Sequence, residues 1–244
     1  MAEAFQPLFD PDMPAYNFDT IAGLSYAIDP MAAPRFASDG APVAGAPGRI
    51  RDLMFQGRPL DAYSPRALSG HRAMLSQHTM VTFPFTVSEI VRMGAGQSRP
   101  RSWVEAAAAD VLAQCDVAHL THQTITSLSG GEQQRVHLAR TLLQLLSSES
   151  AGSKLLLLDE PTASLDIAHQ LMVIDLIKAQ AAAGTTIVVI LHDLNLAVML
   201  ASRVVMMKGG RILLSDAPNR VVTNETLKSA FGVSESVGII PRDD

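Results

Sequence analysis

Four consecutive leucines ending in two carboxylates, KLLLLDE at 154–160, constrain the fold of this chain more than any other stretch. An uninterrupted apolar run of strand length predicts a β-strand buried on both faces, as in the middle of a parallel sheet. A second run, TTIVVIL at 185–191, has the same character. Parallel neighbours need a crossover, and residues 167–182 have the length and spacing of a helix. The fold class expected is therefore α/β, with a mainly parallel sheet. Ligands in open α/β sheets bind beyond the carboxyl ends of the strands. The polar residues there are Asp159 and Glu160 after the first run and His192 after the second.

The 244 residues are 48% hydrophobic, enough for a sizeable core in one or two subdomains. A net charge of −5 without a basic cluster argues against a nucleic-acid surface. The single cysteine, Cys115, excludes an internal disulfide framework and suits a reducing compartment. The longest greasy stretch, 187–201, is interrupted by His192, Asp193 and Asn195, so no membrane span is expected. The first residues lack the basic and apolar regions of a secretory signal, which points to the cytoplasm.

Composition shifts near Gly48. Residues 1–47 hold seven of the 14 prolines, six acidic residues and one basic residue, Arg35, and are expected to be mostly irregular. Beyond them a turn is expected at Gly57 and Pro59, a helix at Pro65–Arg72 and a short strand at Ala73–Ser76. Helices are expected over 86–93, 102–117 and 132–146, the last with Val136, Ala139, Leu143 and Leu146 on one stripe. A helix from Leu194 and a hairpin around Gly209–Gly210 follow.

Two motifs carry chemistry. In LSGGEQQR, 128–135, Ser129, Gly130 and Gly131 precede a helix with Glu132 in its first turn. Small residues there let phosphate oxygens approach free backbone N–H groups where the helix dipole favours an anion. In DEPTASLD, 159–166, Asp159 is placed to hold Mg²⁺ and Glu160 to orient and polarise an attacking water. His192 would reach a terminal phosphate from the neighbouring strand end. Gln77, after the AMLS strand, can offer a side-chain oxygen to Mg²⁺ and contact the water. His119 and His122 lack partners in a metal-ligand spacing and read as a solvated helix end or loop.

With these motifs the chain resembles the ATP-binding subunits of ABC importers over about residues 48–235. The resemblance makes LSGGEQQR the signature, LLLLDEP the Walker B strand, Ser164–Asp166 the D-loop, His192 the switch histidine and Gln77 the Q-loop glutamine. FPFTVSEIVRMG, RVHLARTLLQL, DIAHQLMVIDLI and ILHDLNLAVMLASRVVMMKGGRI look most like the hemin importer ATPases, with iron-siderophore and vitamin B12 importers as near relatives. The resemblance implies a nucleotide-binding domain with a helical signature subdomain at about 85–146 and a tail at 236–244. It implies ATP and Mg²⁺, and a head-to-tail homodimer in which Ser129–Glu132 of one copy closes over ATP held by the other. Asp166 would communicate between the two sites. It also implies two transmembrane permease subunits docked near Gln77–Arg92, a periplasmic hemin-binding protein as indirect partner, and a peripheral place on the cytoplasmic face of the inner membrane. DNA-repair ABC ATPases share both motifs but need long inserts, and only 51 residues separate Gln77 from Ser129.

One element is missing. A phosphate loop reads G-x-x-x-x-G-K-[ST], yet the first lysine is Lys154 and residues 1–47 hold only Gly23, Gly40 and Gly45. Arg35 and Arg49 lack framing glycines, and Tyr16 and Tyr26 have no register that assigns either to adenine. Three readings follow: a disrupted reading frame upstream of Gly48, a subunit whose partner supplies the loop, or a non-hydrolytic regulatory or scaffold protein.

Overall fold

The computed structural model describes residues 24–27, 51–55, 58–59, 62–77, 81–96, 99–148, 154–208 and 211–232. Gly57, Gly209–Gly210, the tail 236–244 and all of 1–47 except four residues lie outside them, as do Tyr16, Arg35 and Arg49. The chain divides into two compact units, Met1–Ser64 with Val205–Asp216, and Pro65–Val204 with Ala217–Asp244.

In the first unit β1 (Leu24–Ala27), β2 (Arg51–Phe55) and β3 (Arg58–Pro59) pair antiparallel in that order. β1 is a four-residue strand within the stretch expected to be mostly irregular. LSYA is free of proline, and its pairing with β2 supplies a partner that no local pattern reveals. Pro59 is tolerated because β3 is an edge strand, where its missing N–H interrupts no inner ladder. The Tyr63 hydroxyl donates to the Phe55 carbonyl at 2.9 Å, and the two rings meet edge to face over the buried Phe55.

The second unit is built on a parallel sheet. After α1 (Pro65–Ser69) come β4 (Arg72–Leu75), α2 (Val87–Arg92), α3 (Arg101–Gln114), α4 (Gly130–Ser147), β5 (Leu155–Asp159), α5 (Ile167–Ala182), β6 (Thr186–Ile190) and α6 (Leu194–Leu200). β7 (Val204–Lys208) and β8 (Arg211–Asp216) form the expected strand pair, which from Val205 onward falls in the first unit, and α7 (Pro218–Val221) and α8 (Asn224–Phe231) belong again to the second. The sheet order is β4-β5-β6, with Leu75 opposite Leu158 and Asp159 opposite Ile190, so neighbouring strands end level. α1 stops short of the expected Arg72 because that residue starts β4, where it pairs with Leu155.

On one sheet face Ala73, Leu75, Leu156 and Leu158 are buried in a single cluster with residues of α2, α3, α4 and α5. α4 touches α2, α3 and β4, so its apolar surface is broader than one stripe. Val136, Ala139 and Leu143 are buried as expected, but Leu146 is 37% exposed, while Leu142 and Leu145 are buried. The close approach just past α2 depends on Gly94: a β-carbon there would lie 2.1 Å from the Arg140 carbonyl oxygen.

Cys115 closes α3 and is fully buried, and loss of solvation pushes its thiol up to about 12. The native protein is therefore expected to resist iodoacetamide at mildly alkaline pH and to be modified only on unfolding. Intact-mass spectrometry with and without denaturant checks this, and rapid labelling of the folded chain would contradict it.

Candidate functional site

The carboxyl edge of β4-β5-β6 collects four of the residues singled out from sequence. Gln77 stands two positions beyond β4, exposed. Asp159 is the last residue of β5, and Glu160 follows it. The Glu160 N–H donates to the Ile190 carbonyl at 3.1 Å, extending the β5–β6 ladder by one bond, and its φ of 49° lies in the left-handed region. Few non-glycine residues hold that conformation without surrounding constraint. The bend brings its carboxylate to His192: Nε2 lies 2.5 Å from Glu160 Oε1, with the Glu160 side chain 16% exposed and that of His192 79% exposed. A largely solvated imidazole thus covers a mostly buried carboxylate.

The signature forms the start of α4. Ser129 is its N-cap: Ser129 Oγ accepts from the Glu132 N–H, while Glu132 Oε2 accepts from the Ser129 N–H at 2.8 Å and from its hydroxyl at 2.7 Å. In this reciprocal capping box the N–H groups of Ser129 and Glu132 are each taken by the other's side chain. The hydrogen bonds from Ser129 hold the Glu132 carboxyl below its usual range. The two glycines differ. A β-carbon at Gly130 would meet nothing within 4 Å, which leaves room for a ligand. At Gly131 it would lie 2.9 Å from the Ser164 carbonyl oxygen, so that glycine lets α4 pack on the loop after β5.

That loop carries Asp166, the N-cap of α5, whose carboxylate accepts from the His169 N–H at 2.9 Å. This bond and the His169 ring hold its carboxyl below the usual range. Two neighbours were missed from sequence. Gln134 Nε2 donates to the Glu160 carbonyl at 3.2 Å, and His169 contacts Asp166 through its ring. The three-residue spacing from cap to His169 is a legible capping signal; Gln134 has no comparable signal. Among the described residues no hydrogen bond joins Ser129 or Glu132 to Glu160 or His192.

A family model described as ABC transporter matches residues 44–163. Over 188 residues, 76% of this chain and 69% of the relative, the sequence is 50% identical to the hemin import ATP-binding protein HmuV of Rhodopseudomonas palustris. It is 45% identical over 190 residues to the protein of the same name from Bradyrhizobium diazoefficiens, with the same coverage. Among solved structures it is similar to a metal-chelate type ABC transporter in an inward-facing conformation, at 29% identity and a TM-score of 0.55. That match covers 66% of this chain and 64% of the other, under two thirds of the solved chain. It is also similar to cbiO1 from Clostridium perfringens, part of the cbiONQ transporter complex, at 25% identity and a TM-score of 0.58, covering 78% of this chain and 76% of that one. No helix among the described residues is long and apolar enough to cross a membrane.

Ser129→Ala removes the side-chain half of the capping box, leaving the backbone N–H of residue 129 to donate to Glu132, and is expected to lower stability by about 1 kcal/mol, read by urea denaturation. Because folding depresses the Glu132 pKa, this stabilisation is present above the unfolded pKa and fades as pH falls through the folded one. The gap between wild type and variant should therefore narrow in acid. An unchanged denaturation midpoint at neutral pH would contradict the assignment.

Proposed function

We propose, from the premise that this chain belongs to the ABC transporter ATP-binding family, that it is the ATP-binding subunit of a hemin importer. The observation that carries this reading is the 50% identity, over most of the chain, to a protein named for hemin import. The domain responsible spans 48–235 with its helical subdomain at about 85–146. It acts as a pair on the cytoplasmic face of the inner membrane, beneath two permease subunits, with a periplasmic hemin-binding protein delivering cargo.

The edge residues fit Mg²⁺ by donor chemistry: Asp159 and the Gln77 side-chain oxygen are hard ligands on neighbouring strand ends. A bound Mg²⁺ would neutralise phosphate charge there. Glu160 takes the proton of the attacking water, and His192, now paired with it, turns to the terminal phosphate when nucleotide arrives. Gly130 and Gly131 offer backbone N–H groups to the phosphate held by the opposing copy, and Asp166 sits where the two sites communicate.

A second reading, a non-hydrolytic regulatory or scaffold subunit, is favoured by the missing phosphate loop alone. Each charged hydrogen bond contributes roughly 1.5–3 kcal/mol, whereas micromolar affinity amounts to about 8 kcal/mol. Losing several such bonds removes most ATP binding. The purified chain is therefore expected to release phosphate from Mg-ATP without saturation, and Glu160→Gln should lower that release no further. Saturable turnover abolished by Glu160→Gln would overturn this expectation. Transport is tested separately: disrupting the gene should abolish growth on hemin as sole iron source and spare growth on a ferric siderophore. Loss on the siderophore alone would move the assignment to siderophore import.

A further inference from the structure

The turn after α3 and the start of α5 meet at one imidazole. His169 Nδ1 lies 2.9 Å from both carboxylate oxygens of Asp166, and Nε2 lies 3.3 Å from Oδ2 of Asp116. Ionised carboxylates only accept, so satisfying both contacts requires a proton on each ring nitrogen. A neutral ring would turn one bare nitrogen toward a carboxylate. The same Asp116 oxygen lies 3.0 Å from Arg135 NH1, which also donates to the Asp116 carbonyl at 2.8 Å. Arg135 is 6% exposed and sits on α4 as the last residue of LSGGEQQR. Asp116 has a φ of 51°, a left-handed conformation that these contacts help to hold. Charges alternate without a break from Asp166 through His169 and Asp116 to Arg135. The other titratable group acting on Asp116 is His119.

We propose that His169 is a positioning residue: its imidazolium clasps Asp116 to Asp166 and so holds the loop Ser164–Asp166 against the helix start Ser129–Glu132, while the neutral ring releases one side. Gly131 against Ser164 and Gln134 on the Glu160 carbonyl join the same two segments, so the clasp acts on a contact that already exists. Asp116 is held below the usual carboxylate range first by His169 and then by Arg135. The depressed carboxylates lose their contribution as pH falls through their folded values, so the clasp weakens in acid. The inference rests on the proposed function only for what the loop does in a composite site. The clasp itself is read without nucleotide.

Hydrogen exchange of the full-length chain, followed by mass spectrometry, tests it. In His169→Ala, peptides covering residues 164–170 and 113–117 should open about twofold to fivefold more readily than in the wild type. His169→Arg keeps a positive charge between the two carboxylates and should restore most of the protection, whereas Asp116→Asn should open like His169→Ala. Unchanged exchange of the β5 peptide reports that each variant is folded. His169→Ala matching the wild type would overturn the proposal. So would His169→Arg opening as readily as His169→Ala.

Discussion

The parallel pairing of β5 with β4 on one side and β6 on the other positions the rest of the site. Leu155, Leu156 and Leu158 are each no more than 3% exposed. Each contributes roughly 1.5–3 kcal/mol on full burial, so the strand has no freedom to slip. Its register sets Asp159 beside Ile190 and brings Gln77, Glu160 and His192 to one edge. The ladder reaches one bond further, through the Glu160 N–H, and there the backbone turns left-handed. The strain at Glu160 is thus a consequence of pairing, and it aims that carboxylate at His192.

A second constraint is the contact between α4 and the loop that follows β5. Gly131 is small because the Ser164 carbonyl is close, and Gln134 reaches the Glu160 backbone. The start of α4 and the segment that carries Glu160 are therefore fastened to each other. The start of α4 is thus joined to Glu160 by one hydrogen bond of 3.2 Å and to Ser164 by a packed glycine.

Much of this was legible in the sequence, and the misses share a cause. Continuous apolar runs identified β5 and β6, and the small residues before EQQR identified the start of α4, because those signals are local. The end of α1 depends on Arg72 joining β5, a partner distant in sequence that local patterns do not reveal. Leu146 was placed on the buried stripe because a single helical face was assumed, whereas α4 is packed by α2, α3 and β4. The capping roles of Glu132 and Asp166 follow from three-residue spacing and were readable. The bridge from His169 to Asp116 spans 53 positions, and no pattern announces it.

The missing phosphate loop has an asymmetric consequence under the proposed function. In a head-to-tail pair each site takes its signature from one copy and its phosphate loop and water-activating glutamate from the other. Two copies of the sequence given would bring two signatures and no G-x-x-x-x-G-K-[ST] to the two sites of the pair. A partner carrying a loop changes only one of them: its ATP is closed over by Ser129–Glu132 of this chain, and the glutamate acting there is the partner's own. Glu160 and His192 would then face the site that still lacks a loop, paired with each other. Under the proposed function the capped start of α4 is the surface that would serve chemistry in such a pair, and its geometry is set by Ser129, Gly131, Gln134 and the contacts beneath them.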